Sequence, residues 1–255
     1  MMDIVVVVKL VPDLVEEIEI TGDGKTVDTT FMRLIINEPD DHALEQAIIL
    51  KEREGGEVTV IGPGVEDIDG VLFTAAAKGT DRQIKLTGDF DVEVNNHALA
   101  RAFANVVREA QPDLILTGVQ AHNDMDGALG PLMAEYLEMP YIGYVSGVVM
   151  EGETCNVRKE YPGGLIGEMQ VNLPAVLGIQ SAESPPRYVA VSKVRQAMKT
   201  VTLDEQTSSD LDRKGGPAVS RMFQPESGER AEMIEGDIDN IAEKLVEILR
   251  TADAL

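Results

Sequence analysis

Residues 113–137 read DLILTGVQAHNDMDGALGPLMAEYL. Asp113 to Thr117 is a short apolar run, the pattern of a strand buried on both faces. Gly118 to Gly130 is a loop of small and polar residues, and Gly130 to Leu137 lies in the helix that follows. A strand feeding a helix through such a loop belongs to a parallel βαβ arrangement. Upstream the same alternation repeats. Asp3 to Lys9 is a continuous β-branched run, and Glu57 to Ile61 and Gln83 to Leu86 read as further strands. A helix begins after Asn37, with Pro39 and Asp40 in its first turn, and runs to about Glu54 before Gly55-Gly56. Val65 to Lys78 is a second helix, closed by Gly79. Leu99, Phe103, Val106, Val107 and Ala110 recur at helical spacing and form one apolar face. Glu16 to Ile20, a turn at Gly22-Asp23-Gly24, and Phe31 to Ile36 form an excursion before the first long helix. The fold class expected is α/β: a parallel-sheet, Rossmann-like, three-layer domain.

From Tyr141 the pattern changes. Gly147 to Met150, Thr154 to Lys159, Glu168 to Leu173 and Ala175 to Ile179 are short strands between Gly or Pro turns. They predict an antiparallel extension over about 141–183. Beyond Pro185-Pro186 the chain turns polar, and Asp204 to Gly236 has the composition of a linker. The expected division is an α/β domain over 1–200 and an extended arm over 201–255. The arm ends in a helix whose Ile241, Leu245, Ile248 and Leu249 form a stripe suited to packing on a partner.

Composition narrows the function classes. A net charge of −23 over 255 residues repels nucleic acid and anionic lipid, so neither is expected as a partner. The opening run Ile4 to Val8 is too short for a membrane span or a secretory core, so no membrane insertion and a cytoplasmic location are expected. The single cysteine, Cys155, excludes an intramolecular disulfide and a multi-cysteine metal site. With three histidines and no nucleophile-base constellation, no side-chain catalysis is expected.

Ligands of open parallel sheets bind beyond the carboxyl ends of the strands. Three loops leave such ends here: Lys9 into Val11-Pro12-Asp13, Gly62-Pro63-Gly64, and Gly118 to Gly130. The last leads into a helix, whose first amides favour an anion. It matches neither Walker A nor GxGxxG. Its residues therefore leave two readings open: a phosphate-binding loop, or a polar turn with a helix cap. Asp124 and Asp126 lack companion carboxylates at metal-binding spacing, so capping suits them better than a metal. His42 and His97 fall in helical segments, and Cys155 reads as a small hydrophobe.

With these residues laid out, the chain resembles the β (small) subunits of electron-transfer flavoproteins over nearly its whole length. The pieces occur in family order: Val6-Val7-Val8-Lys9-Leu10-Val11-Pro12-Asp13; Asn37 followed by Asp41, Ala43, Leu44, Glu45 and Ala47; Ala76, Gly79, Asp81 and Arg82; Gln120-Ala121; Gly163-Gly164 with Val171 to Val176; and Pro186-Arg187-Tyr188 with Lys193 and Met198-Lys199. Departures exist: Asn123 and Met125 stand where the family carries carboxylates, and Pro162 replaces an Asp. The resemblance implies an adenine nucleotide α-hydrolase-like fold. It also implies a heterodimer whose α subunit holds a redox FAD, with FAD or AMP in the β subunit. Carried over by position, the cofactor-binding residues are Val7, Asn37, Pro39, Asp40, Pro63, Ala121, His122, Asn123, Asp124, Met125, Asp126, Gly127, Ala128, Leu129 and Gly130. Gly130-Pro131 matches members that bind a second flavin, which carries the possibility of electron bifurcation. Val191 falls in the family's docking segment for acyl-CoA dehydrogenases or other redox partners. The alternative is a stand-alone adenine-nucleotide-binding module of the universal-stress type, whose phosphate loop is richer in glycine and serine. An ATP-pyrophosphatase fits less well, because no Ser-Gly-Gly-x-Asp-Ser loop follows the first strand.

Overall fold

The computed structural model describes residues 2–91, 94–125, 129–208, 211–225, 228, 231 and 233–254. Two compact units divide the chain, Met1–Arg221 and Met222–Leu255. The first opens with β1 (Asp3–Val7), then β2 (Leu10–Pro12), β3 (Leu34–Ile36), α1 (Glu38–Glu54), β4 (Glu57–Pro63), α2 (Ile68–Lys78) and β5 (Arg82–Thr87). It continues with α3 (Asn96–Ala110), β6 (Leu114–Gly118), α4 (Leu129–Leu137), β7 (Tyr141–Glu151), β8 (Thr154–Tyr161), β9 (Leu165–Asn172), β10 (Ala175–Ile179), α5 (Val191–Thr200) and β11 (Asp204–Thr207). The second unit carries α6 (Ile238–Thr251). Nine strands form one sheet in the order β11-β5-β4-β1-β6-β10-β7-β8-β9, parallel from β11 through β7.

The apolar run of β1 is continuous because both faces of the strand are covered. Ile4 and Val6 join the layer packed against α1 and α2. Val5 and Val7 point the other way, into the layer with α3 and α4. β6 divides likewise, Leu114 and Leu116 to one side and Ile115 to the other. On α3, Leu99, Phe103 and Val107 are buried as the spacing predicts, Val106 is half-buried, and Ala110 is exposed at the last turn. Helices on both faces of a mostly parallel sheet make the three-layer α/β architecture expected.

Several elements depart from the sequence reading. β10 is not part of an antiparallel extension. It lies inside the parallel sheet between β6 and β7, buried along its whole length. Within the nine-stranded sheet, antiparallel pairing is confined to β8 and β9 with the second half of β7. β7 serves both patterns: Tyr141 to Val145 pair with β10, and Gly147 to Glu151 pair with β8. Tyr144, at φ 61°, sits in the left-handed region at the changeover. The run 10–12 and 34–36 forms a separate two-stranded sheet, and Ile20 bridges Val27 within the excursion.

Past the proline pair, α5 forms in the polar stretch that follows, and β11 lies at the start of the 204–236 segment whose composition reads as linker. β11 pairs in parallel with Ile84 to Thr87 of β5, and Arg82 holds Asp204 at 2.8 Å. α5 follows a clamp. Arg187 donates to Glu45 at 2.9 Å and to Glu52 at 2.6 Å, both carboxylates on α1. In the second unit, Asp237 caps α6 by accepting from the Asn240 amide at 2.9 Å, and no α6 residue is buried. Its Leu245, Ile248 and Leu249 stripe is among the exposed apolar residues.

Candidate functional site

The strand order reverses at β1. The chain moves from β1 to β4 to β5 on one side, then crosses through α3 to β6 on the other. Between the carboxyl ends of β1 and β6 lies the switch-point crevice, where open α/β sheets take their ligands. Sequence-predicted residues from two of the three candidate loops meet here.

Asp40 ties the crevice together. Its carboxylate, in the first turn of α1, accepts from the Lys9 amide at 2.9 Å and from the Gly118 amide at 2.8 Å. One side chain thus pins the ends of both strands to one helix. Burial pushes the Asp40 carboxyl up to about 6, against the opposing pull of the Lys9 amide, the Lys9 charge and the Gly118 amide. Gly118 must be glycine for this contact. A Cβ there would lie 2.3 Å from Asp40 Oδ1 and 2.8 Å from the Asp40 amide.

Asn37, buried just before α1, donates through Nδ2 to the Gln120 carbonyl at 3.2 Å, and its own amide reaches the Lys9 carbonyl at 3.1 Å. Asn37, Pro39, Gln120, Ala121 and His122 also line a groove of about 510 Å³, together with the apolar Val11 and Leu14. Deeper in, Asp124 pairs with the Lys9 ammonium, accepts from Asn96 Nδ2 at 2.8 Å, and accepts from the Ala121 amide at 2.8 Å. The sequence predicts that Asp124 caps the following helix; its carboxylate instead closes a turn with Ala121 upstream, and the Asp124 amide donates to the Ala121 carbonyl at 3.1 Å.

Other predicted residues stand apart. The Val7 side chain belongs to the apolar layer with α3 and α4, so it offers the crevice only its backbone. Pro63 ends β4 buried, its carbonyl accepting from the Val65 amide at 2.8 Å. Asn123 is half-buried and its Oδ1 finds no hydrogen-bond partner; Met125 is exposed. Leu129 packs into the core. Gly130 is small for a packing reason: a Cβ would meet Thr117 Oγ1 at 2.7 Å and the Tyr141 ring at 2.9 Å. Asp126, Gly127 and Ala128 lie outside the described residues. Val191 opens α5 and is exposed, as is Tyr188 before it.

Asn96 was not read from the sequence. Asn95 caps α3 by accepting from the Ala98 amide at 2.9 Å, and the residue after it is buried against Lys9 and Asp124. The doublet Asn95-Asn96 before an apolar stripe was the available signal. Elsewhere, His42 Nδ1 accepts from the Ala182 amide at 3.2 Å. Cys155 is buried in β8, where burial pushes its thiol up to about 11. Among the described residues no group of three His, Cys, Asp or Glu side chains is placed to hold a metal, and no helix is long and apolar enough to cross a membrane.

A mostly parallel sheet with helices on both faces and a polar crevice at its switch point defines a Rossmann-like α/β protein. Residues 26–211 match the family model of the electron transfer flavoprotein domain. The electron transfer flavoprotein subunit beta of Methylophilus methylotrophus is 33% identical over 97% of this chain and 98% of its own length. That of Thermoanaerobacterium thermosaccharolyticum is 31% identical over 98% of each. The subunit beta of Clostridium acetobutylicum is 30% identical over a similar span. The chain belongs to the electron transfer flavoprotein family, among its β subunits.

Proposed function

We propose that this chain pairs with a flavin-bearing α subunit and binds an adenine nucleotide in the crevice between β1 and β6. The observation carrying this reading is the convergence of Asn37, Asp40, Gly118, Gln120 and Asp124 on one strand-end crevice, in a chain of this family. The polar groups there suit ribose hydroxyls, and the Lys9 ammonium beside Asp124 suits phosphate oxygens. The groove beside Pro39 and His122 suits a planar base. The complex then passes electrons between a dehydrogenase, such as an acyl-CoA dehydrogenase, and an acceptor. The exposed Tyr188 and Val191 at the start of α5 form the docking point. All redox chemistry is the flavin's, and the protein supplies binding, orientation and charge.

AMP and FAD share the adenylate that this crevice fits. Denaturing extraction of the purified heterodimer separates them. Two flavins per heterodimer identify FAD in the β site and with it a bifurcating role. One flavin with one AMP identifies a structural nucleotide. A heterodimer holding one flavin and no further adenine nucleotide refutes the reading.

A further inference from the structure

The crevice holds one buried cation. Lys9 follows β1 directly, its backbone amide committed to Asp40 and its side chain turned inward. Only 10% of that side chain and 3% of the Asp124 side chain are exposed, so neither charge is stabilised by water. Asp124 draws three donors onto two oxygens: the Lys9 ammonium and Asn96 Nδ2 on Oδ1, the Ala121 amide on Oδ2. An ammonium, a side-chain amide and a backbone amide converging on one anion are the donors that recognise a phosphoryl group. Two buried polar atoms stand close by in sequence without hydrogen-bond partners: Asn123 Oδ1, next to Asp124, and Thr117 Oγ1 at the end of β6.

We propose that Asp124 and the phosphate of the nucleotide compete for Lys9. This rests on the nucleotide reading of the crevice. Two anions on one buried ammonium repel strongly where the dielectric is low, so phosphate contact with Lys9 displaces the Asp124 carboxylate. Displacement breaks the side-chain tie to the Ala121 amide and opens the turn 121–124. Asp124 is therefore an internal competitor that sets the affinity for phosphorylated ligands and couples their binding to the loop. Lys9 is the phosphate contact, and Asn96 positions whichever anion is present.

The test compares AMP with adenosine, which lacks the phosphate, by equilibrium dialysis against the full chain. Asp124→Asn removes the competing charge; its one oxygen accepts either from the Ala121 amide or from Lys9 and Asn96, and in both orientations the ammonium loses its buried anion. It is expected to tighten AMP about tenfold, the gain from freeing a masked site, and to leave adenosine within about twofold. Lys9→Gln is expected to abolish the preference for AMP over adenosine. The double variant K9Q/D124N, with neither charge buried, is expected to bind the two ligands equally and guards against misfolding of the single lysine variant. If wild type binds AMP and Asp124→Asn binds it equally or more weakly, Asp124 is a ligand contact or a structural brace and the competition is overturned. Wild type that binds AMP, FAD and adenosine not at all refutes the nucleotide reading instead.

Discussion

Asp40→Asn probes the tie between α1 and the two strand ends. Asn keeps one acceptor oxygen but turns an amide nitrogen toward either the Lys9 or the Gly118 N–H, each now within 3 Å of a carboxylate oxygen. Donor facing donor leaves a buried N–H unpaired, at a cost of about 1–3 kcal/mol. The pH dependence is the sharper part. The Asp40 carboxyl is raised from 3.8 to about 6 in the fold. A raised acid contributes stability that is fully present below about 3.8 and lost as pH climbs through about 6. Between pH 8 and pH 5 the wild type therefore gains about 1.4 kcal/mol from this group, and the asparagine, which does not titrate, gains nothing. The gap between wild type and variant should widen by that amount at pH 5. Urea unfolding of both proteins at the two pH values, followed by circular dichroism, reads it. A gap that stays constant, or narrows at pH 5, would show that the Asp40 carboxyl is not raised in the crevice and refute the reasoning.

Other perturbations follow from the same contacts. Gly118→Ala forces a Cβ onto Asp40 and should empty the nucleotide site while the far side of the sheet stays folded, seen as lost nucleotide with retained far-ultraviolet dichroism. Phe103→Ala opens a cavity in the layer under α3 and should cost about 3–5 kcal/mol in urea unfolding. Val191→Asp, on the exposed start of α5, should raise the apparent KM for a dehydrogenase partner about tenfold through loss of one apolar anchor and leave nucleotide content unchanged.

Much of the fold was legible because burial on two faces writes itself as unbroken apolar runs. The Val-rich β1, the Pro39 start of α1 and the Leu99-Phe103-Val107 face of α3 fall where the pattern puts them. The misread segments share a cause. β10 is as short as a hairpin strand, and only its neighbours β6 and β7 reveal it as an interior parallel strand. β11 is an edge strand of Asp, Glu, Gln and Thr, held by backbone pairing to β5, so its side chains carry no strand signal. α5 lacks a side-chain cap and buries only Ala197, and it follows ion pairs from Arg187 to α1 that no local pattern predicts. In the site, the Gly118 to Gly130 loop was readable as strand-end chemistry, whereas Asn37 and Asp40 entered only through the family resemblance. The pairing of Lys9 with Asp124 and Asn96 joins residues from three distant stretches, which spacing cannot show.

The central claim is an adenine nucleotide in the crevice at the ends of β1 and β6. Its most direct test is the nucleotide released by denaturing the purified heterodimer, compared between wild type and Gly118→Ala. The account predicts one adenine nucleotide per heterodimer beyond the flavin of the α subunit in wild type, and its loss in the variant with the α flavin retained. Equal nucleotide content in the two proteins, or none beyond the α flavin in wild type, would contradict it.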